Sequence, residues 1–139
     1  MANVGTIRNS LQAAVSGITG LNRYDVATGK ERLPAYIVFP RPPASGTVVA
    51  STCKERWEFT IEIHVSLAQG LQRAQDQLDG FISTASGGTS IATTIEADVT
   101  LSSAVDTLTV DAFELYSFGE LNAKSTLMTI IPVVVWVDK

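Results

Sequence analysis

From Glu55 to Leu67 the chain alternates without a fault. Trp57, Phe59, Ile61, Ile63, Val65 and Leu67 interleave with Arg56, Glu58, Thr60, Glu62, His64 and Ser66. Successive side chains of a strand point to opposite faces, so a sustained period of 2 specifies a strand with one apolar and one polar side. One face must pack on a core, and the other meets water or another subunit. At roughly 3.3 Å per residue the strand would span about 40 Å. That is longer than usual, and predicts a strand projecting beyond the domain body as a hairpin with the strand before it.

The rest of the chain supplies partners for that apolar face. Between Thr6 and Ile18, the residues Ile7, Leu11, Ala14, Val15 and Ile18 fall on one stripe of a helix, with Asn3 or Thr6 as cap and Gly20 as stop. Leu21–Val26 and Ala35–Phe39 read as short strands. Arg41-Pro-Pro-Ala-Ser-Gly46 breaks regular structure, which predicts a long loop at about 40–54. Loops of that length are commonly functional, and this one is expected to order on contact with a partner. Ser66-Leu-Ala-Gln69 has the form of a capping box, although Gly70 lets the helix start slip to Leu71. The helix runs on through Ala74, Leu78, Phe81 and Ile82. A shorter one covers Ser90–Ala97, with Thr89 as its cap. Asp106–Phe118 and Lys124–Val137 read as a hairpin turning at Gly119–Asn122. A parity change predicts a bulge near Asp111. The second arm is apolar on both faces from Leu127, which predicts burial on both sides, and Pro132 marks an edge or a bulge. The expected fold is one α+β domain over residues 1–139, in the order α-β-β-β-α-α-β-β, with a largely antiparallel or mixed sheet and the helices packed on one face.

Composition narrows the function. Net charge is −4, and the ten Lys and Arg are scattered, which argues against direct nucleic-acid binding, since that needs clustered cations. One cysteine, Cys53, excludes an intrachain disulfide, and with the single histidine it cannot build a Cys/His metal cluster. Met-Ala-Asn-Val-Gly does not read as a secretory signal. The apolar run Met128–Val137 is too short for a bilayer, which needs roughly 20 residues. The expectation is a protein made in a reducing cytoplasm, with no membrane contact and no cofactor.

No nucleophile elbow, Walker loop, dinucleotide fingerprint, zinc-protease motif or calcium loop occurs. His64 reads as a solvent or interface histidine. The competing reading is an acid–base couple with Glu62 on the same face. Cys53, beside Lys54 and Arg56, reads as an incidental loop thiol. Asp76 and Asp79 read as a solvated helix face, and Trp57 and Trp136 as core. No catalytic site is expected.

The order and spacing of several segments resemble a known family. They are an opening helix with Ile7-Arg8 and Leu11 leading to Gly20-Leu21, then Leu33-Pro-Ala-Tyr-Ile-Val-Phe-Pro40 and a variable loop. Next come the alternating strand ending His64-Val-Ser66, the helix Ala74-Gln-Asp-Gln-Leu-Asp79, Ser90-Ile91, Ala97-Asp98 before Leu101, and a valine-rich last strand. Together they resemble the tail terminator, or tail completion, proteins of long-tailed bacteriophages. The resemblance implies a homo-oligomeric ring, usually of six subunits, that caps the tail tube, stops its polymerisation and offers a surface to the head connector. It also implies a fold similar to the tube protein, helices outside and sheet toward the bore, with DNA only in passage. On that picture Arg56, Glu58, Glu62 and His64 face the bore, Ile131, Val133 and Val135 contact the next subunit, and Arg41, Val48, Val49 and Lys54 dock the tube or connector. Head–tail neck proteins share the same coarse order. A small enzyme or ligand-binding domain is the rival from another class.

Overall fold

The computed structural model describes residues 4–18, 20–24, 33–40, 47–49, 54–83, 90–101, 103–121 and 123–138. The alternating stretch forms strand β4, Lys54–Ser66, numbered with three earlier strands: β1, Asn22–Arg23; β2, Ala35–Pro40; and β3, Thr47–Val49. Helix α1, Val4–Val15, precedes them. After β4 come α2, Leu71–Ile82, and α3, Ile91–Glu96, then β5, Thr107–Val110, β6, Leu115–Leu121, and β7, Lys124–Asp138. The architecture is α+β with a mixed, curled sheet, as the sequence predicts.

The sheet order is β1-β2-β4-β7-β5, with β3 paired to β4 and β6 to β7. All neighbours are antiparallel except β1 and β2. The long strand does not project as a hairpin with the strand before it. Its full-length partner is β7, from Lys54↔Asp138 to Ser66↔Thr126, while β2 and β3 share its other side. The reason lies in β7: a strand apolar on both faces is most stable in the middle of a sheet, and β4 is the one strand long enough to match it.

The odd-numbered residues of β4 and β7 form the core face. Phe59, Ile61, Ile63, Val65, Leu127, Ile131, Val133, Val135 and Val137 pack in one cluster with Ile7, Leu11 and Val15 of α1, Ala74, Leu78 and Phe81 of α2, and Ile91 and Ile95 of α3. All three helices therefore lie on one side. α1 stops at Val15, and Ile18 enters the core from the turn that follows. The Ser66 capping box does not form: Ser66 Oγ accepts from Ala68 N–H, and Gly70 at φ 100 holds a conformation outside the helix, so α2 opens at Leu71. Ser90, not Thr89, caps α3, its hydroxyl accepting from Thr93 N–H at 3.2 Å.

Two expectations about the loops change. The 40–54 stretch contains a strand: Thr47-Val-Val49, a β-branched run, ladders onto Arg56–Lys54. The hairpin turn is shorter than Gly119–Asn122, because β6 pairs as far as Leu121↔Lys124 and Ala123 takes the left-handed conformation at φ 66. The irregularity near Asp111 is present. Val110 to Leu115 is five steps, while their partners Val133 to Ile130 are three, so two residues are extra. Two extra residues preserve parity, so the expected parity change does not occur. Tyr116 and Phe118 share the helix side with Leu108 and Val110, and Leu115 lies on the other. Pro132 sits opposite this break. Its carbonyl accepts from Asp111 N–H at 2.9 Å, so its ring nitrogen faces the same interrupted side and no ladder donor is lost.

Candidate functional site: the open face of the sheet

The even-numbered residues of β4 and β7 lie on the face away from the helices. Arg56, Glu58, Thr60, Glu62 and His64 stand beside Trp136, Val134, Pro132, Ile130 and Met128 in register. Arg56, Glu58, Glu62 and His64 are thus brought together as the sequence predicts, but not as a bare acidic strip. Arg56 Nη2 lies 2.5 Å from Glu58 Oε1, and the guanidinium carbon is 5.7 Å from the centre of the Trp136 ring. A planar cation held between a carboxylate and an aromatic face has little freedom to seek other partners. Each glutamate on this face has its own neighbouring donor.

His64 departs furthest from expectation. It is only 1% exposed, not a solvent histidine. Its Nε2 donates to Glu62 Oε1 at 2.5 Å, since a carboxylate can only accept. Its Nδ1 lies 2.7 Å from Thr126 Oγ1. Thr126, His64 and Glu62 therefore form a hydrogen-bond chain with the connectivity of nucleophile, base and orienting acid. Nucleophilic chemistry also needs access, and Thr126 has no exposed surface at all. The chain works as a polar clamp between β4 and β7, satisfying every partner it buries. Only the β4–β7 register places Thr126 beside His64. Sequence spacing carries no sign of the pair because the two residues are 62 apart.

The other predicted positions scatter. Ile131, Val133 and Val135 are buried in the core against the helices and cannot also present a subunit contact. Their odd parity, shared with Phe59 and Ile61, puts them there. Val48 and Val49 belong to β3, and Lys54 opens β4 opposite Val49, so three of the four docking positions are strand residues. Arg41 and Cys53 lie outside the described residues. Among the described residues no group of three or more His, Cys, Asp or Glu could hold a metal ion, and no helix is long and apolar enough to cross a membrane.

On the helix side, Tyr116 donates to Asp79 Oδ1 at 2.9 Å, tying β6 to α2. Desolvation, the hydrogen bond to Asp79 and the charges of Asp79 and Asp76 push the Tyr116 phenol up to about 12 from 10.0. A raised folded-state value means the protonated phenol favours folding. That contribution is complete below pH 10 and lost as pH rises through about 12. Tyr116→Phe should remove the phenol transition near pH 12 from an ultraviolet absorbance titration. It should cost under about 1 kcal/mol, because the pair is exposed. Loss of a transition near pH 10 instead would show that Tyr116 does not hold this bond.

Comparison of the chain with models of protein families gives no match, and comparison with curated proteins gives none.

Proposed function

We propose that the chain is a structural virion protein of the tail-terminator type, a subunit of a ring that caps a phage tail tube at the head–tail junction. The ring stops tube polymerisation and presents the surface to which the head connector joins. The observation that carries this reading is the one-sided sheet. Among the described residues all helices cover one face, and the curled opposite face holds the paired charges of β4 and the buried Ala35, His64, Thr126 and Val134. A wall with helices outside and a curved sheet inside is the form a ring subunit needs. The family resemblance places that wall around a bore through which DNA passes. There, side chains already engaged with one another offer a passing phosphate backbone few free cations. The ring number usual in that family is six.

The test uses the intact chain added to polymerising tail tube protein, followed by negative-stain imaging and native mass spectrometry. The expected result is a ring at tube ends and tubes that stop lengthening. Tubes that grow undiminished with the chain unbound would overturn the reading. A twelve-fold ring bound to the head connector would move the protein to the neck.

A further inference from the structure

β6 lies at an edge of the sheet. Among the described residues it pairs with β7 alone, so its other side presents N–H and C=O groups with no ladder partner. Its seven residues give about 23 Å of open edge at roughly 3.3 Å each. Such an edge is a template for a further strand, and chains that keep to themselves blunt it with Lys, Pro or a cover. β6 contains neither Lys nor Pro. Large apolar side chains stand bare along it: Phe118 is 68% exposed, Phe113 46% and Leu115 38%. The Phe113 ring lies 6.1 Å from that of Tyr116, which carries the aromatic surface past the start of the strand.

The charge around this edge has one sign. Residues 74–123 contain no Lys and no Arg. Glu120 of β6, Asp111 and Glu114 just before it, and Asp79 at the Tyr116 hydroxyl are all exposed. The one base on β6 or β7 is Lys124, at the far end of their hairpin. Register then orders the acids. Tyr116, Phe118 and Glu120 stand two residues apart on one face of β6, and Tyr116 holds Asp79 at its tip. That face therefore reads acid, aromatic, acid. A strand added at the edge sets its own alternate side chains beside these three, with Cβ atoms about 5 Å away. The matching sequence is basic, any, apolar, any, basic, and it is the same in either direction. Arg suits the outer positions better than Lys, because its planar cation also stacks on Phe and Tyr rings.

We propose that β6 takes an extended basic segment of a second protein as an added strand, with Arg-x-apolar-x-Arg set against Asp79, Phe118 and Glu120. The same acids repel a phosphate ligand. The described strands of this chain do not supply the segment. Lys54 and Arg56 belong to β4, which is paired on both sides at those residues, and β1 is two residues long with Arg23 its one base. Two β6 edges brought together would set acid against acid. An added strand needs only the single chain, so its test is independent of the ring.

The probe is a capped peptide, Thr-Arg-Thr-Leu-Thr-Arg-Thr, titrated calorimetrically into the full chain. Binding should saturate at one peptide per chain with a Kd below about 100 µM. Amide hydrogen exchange should slow across residues 115–121 and stay unchanged in α1. Raising salt from about 0.01 M to 1 M shortens screening from roughly 30 Å to 3 Å and should weaken binding about tenfold. Phe118→Ser and Glu120→Lys, both at exposed positions and melting like the native chain, should each weaken it about tenfold. A peptide with one arginine replaced by glutamate should bind Glu120→Lys better than it binds the native chain. N-methylation of one alternate set of peptide amides should abolish binding while the other set is tolerated, the signature of an added strand. No saturation by about 1 mM, equal binding of a peptide with both arginines replaced by glutamate, or equal effects of the two N-methylated sets would overturn the added strand. So would a native chain that dimerises in sedimentation and loses the dimer with Phe118→Ser, which would assign the edge to a second copy.

Discussion

Val133→Asp is expected to unfold the chain, not to release a folded subunit. Val133 has no exposed surface, stands between Phe59 and Val110 in register, and belongs to the cluster that joins the sheet to all three helices. A carboxylate there has no partner, and burying an unpaired charge costs several kcal/mol even after relaxation. Domains of this size have about 5–15 kcal/mol in total, so one such charge removes most of it. Circular dichroism should show no cooperative melt. Ile130→Asp makes the same chemical change three residues away, on the opposite face, where the side chain is half-buried. It should leave a folded chain with a lower melting temperature. A folded Val133→Asp monomer melting near the native temperature would reinstate the valine strand as an interface and refute its place in the core.

That contrast shows what the sequence disclosed and what it hid. Alternation in Glu55–Leu67 and the stripes Ile7–Leu11–Val15 and Ala74–Leu78–Phe81 are local patterns, and each forms the element its period dictates. The two-faced strand Leu127–Val137 was equally legible as a strand buried on both sides. The question of what buries it was not, because strand pairing is a long-range choice that periodicity does not encode. An excess of apolar surface therefore read as a subunit contact, when half of it packs the helices and half lies beside β4's polar side chains. The bulge near Asp111 and the exceptional Pro132 each had a local signal. That they face one another emerged only from the register. Thr47-Val-Val49 was lost inside a Pro-Gly stretch because three residues are too few for a period to register. The Glu62–His64 couple was visible as two polar residues on one face. Its third member and its burial were not, and these turn a possible acid–base pair into a clamp.

The clamp itself should show in stability as a coupled unit. Thr126→Val keeps the shape of the side chain but removes the hydroxyl opposite His64 Nδ1, leaving a buried ring nitrogen unsatisfied at a cost of about 1–3 kcal/mol. His64→Leu orphans Thr126 in the same way and also strips Glu62 of its donor. Glu62 is partly exposed and can turn to water, so that second loss is the smaller one. The double variant removes both buried polar partners and leaves an apolar pair in their place. Exchanging both partners for apolar groups of similar shape is close to neutral, so the double variant should be more stable than the sum of the single losses by about 1–2 kcal/mol. Urea denaturation of the four proteins measures this directly through the cycle of midpoints. Strict additivity would mean that His64 and Thr126 do not satisfy each other. The polar face of the sheet would then be a set of independent surface residues, free to be substituted one at a time. A positive coupling would mean that β4 and β7 are locked by a buried polar bond on the face opposite α1, α2 and α3. That bond would hold the curvature of that face by itself.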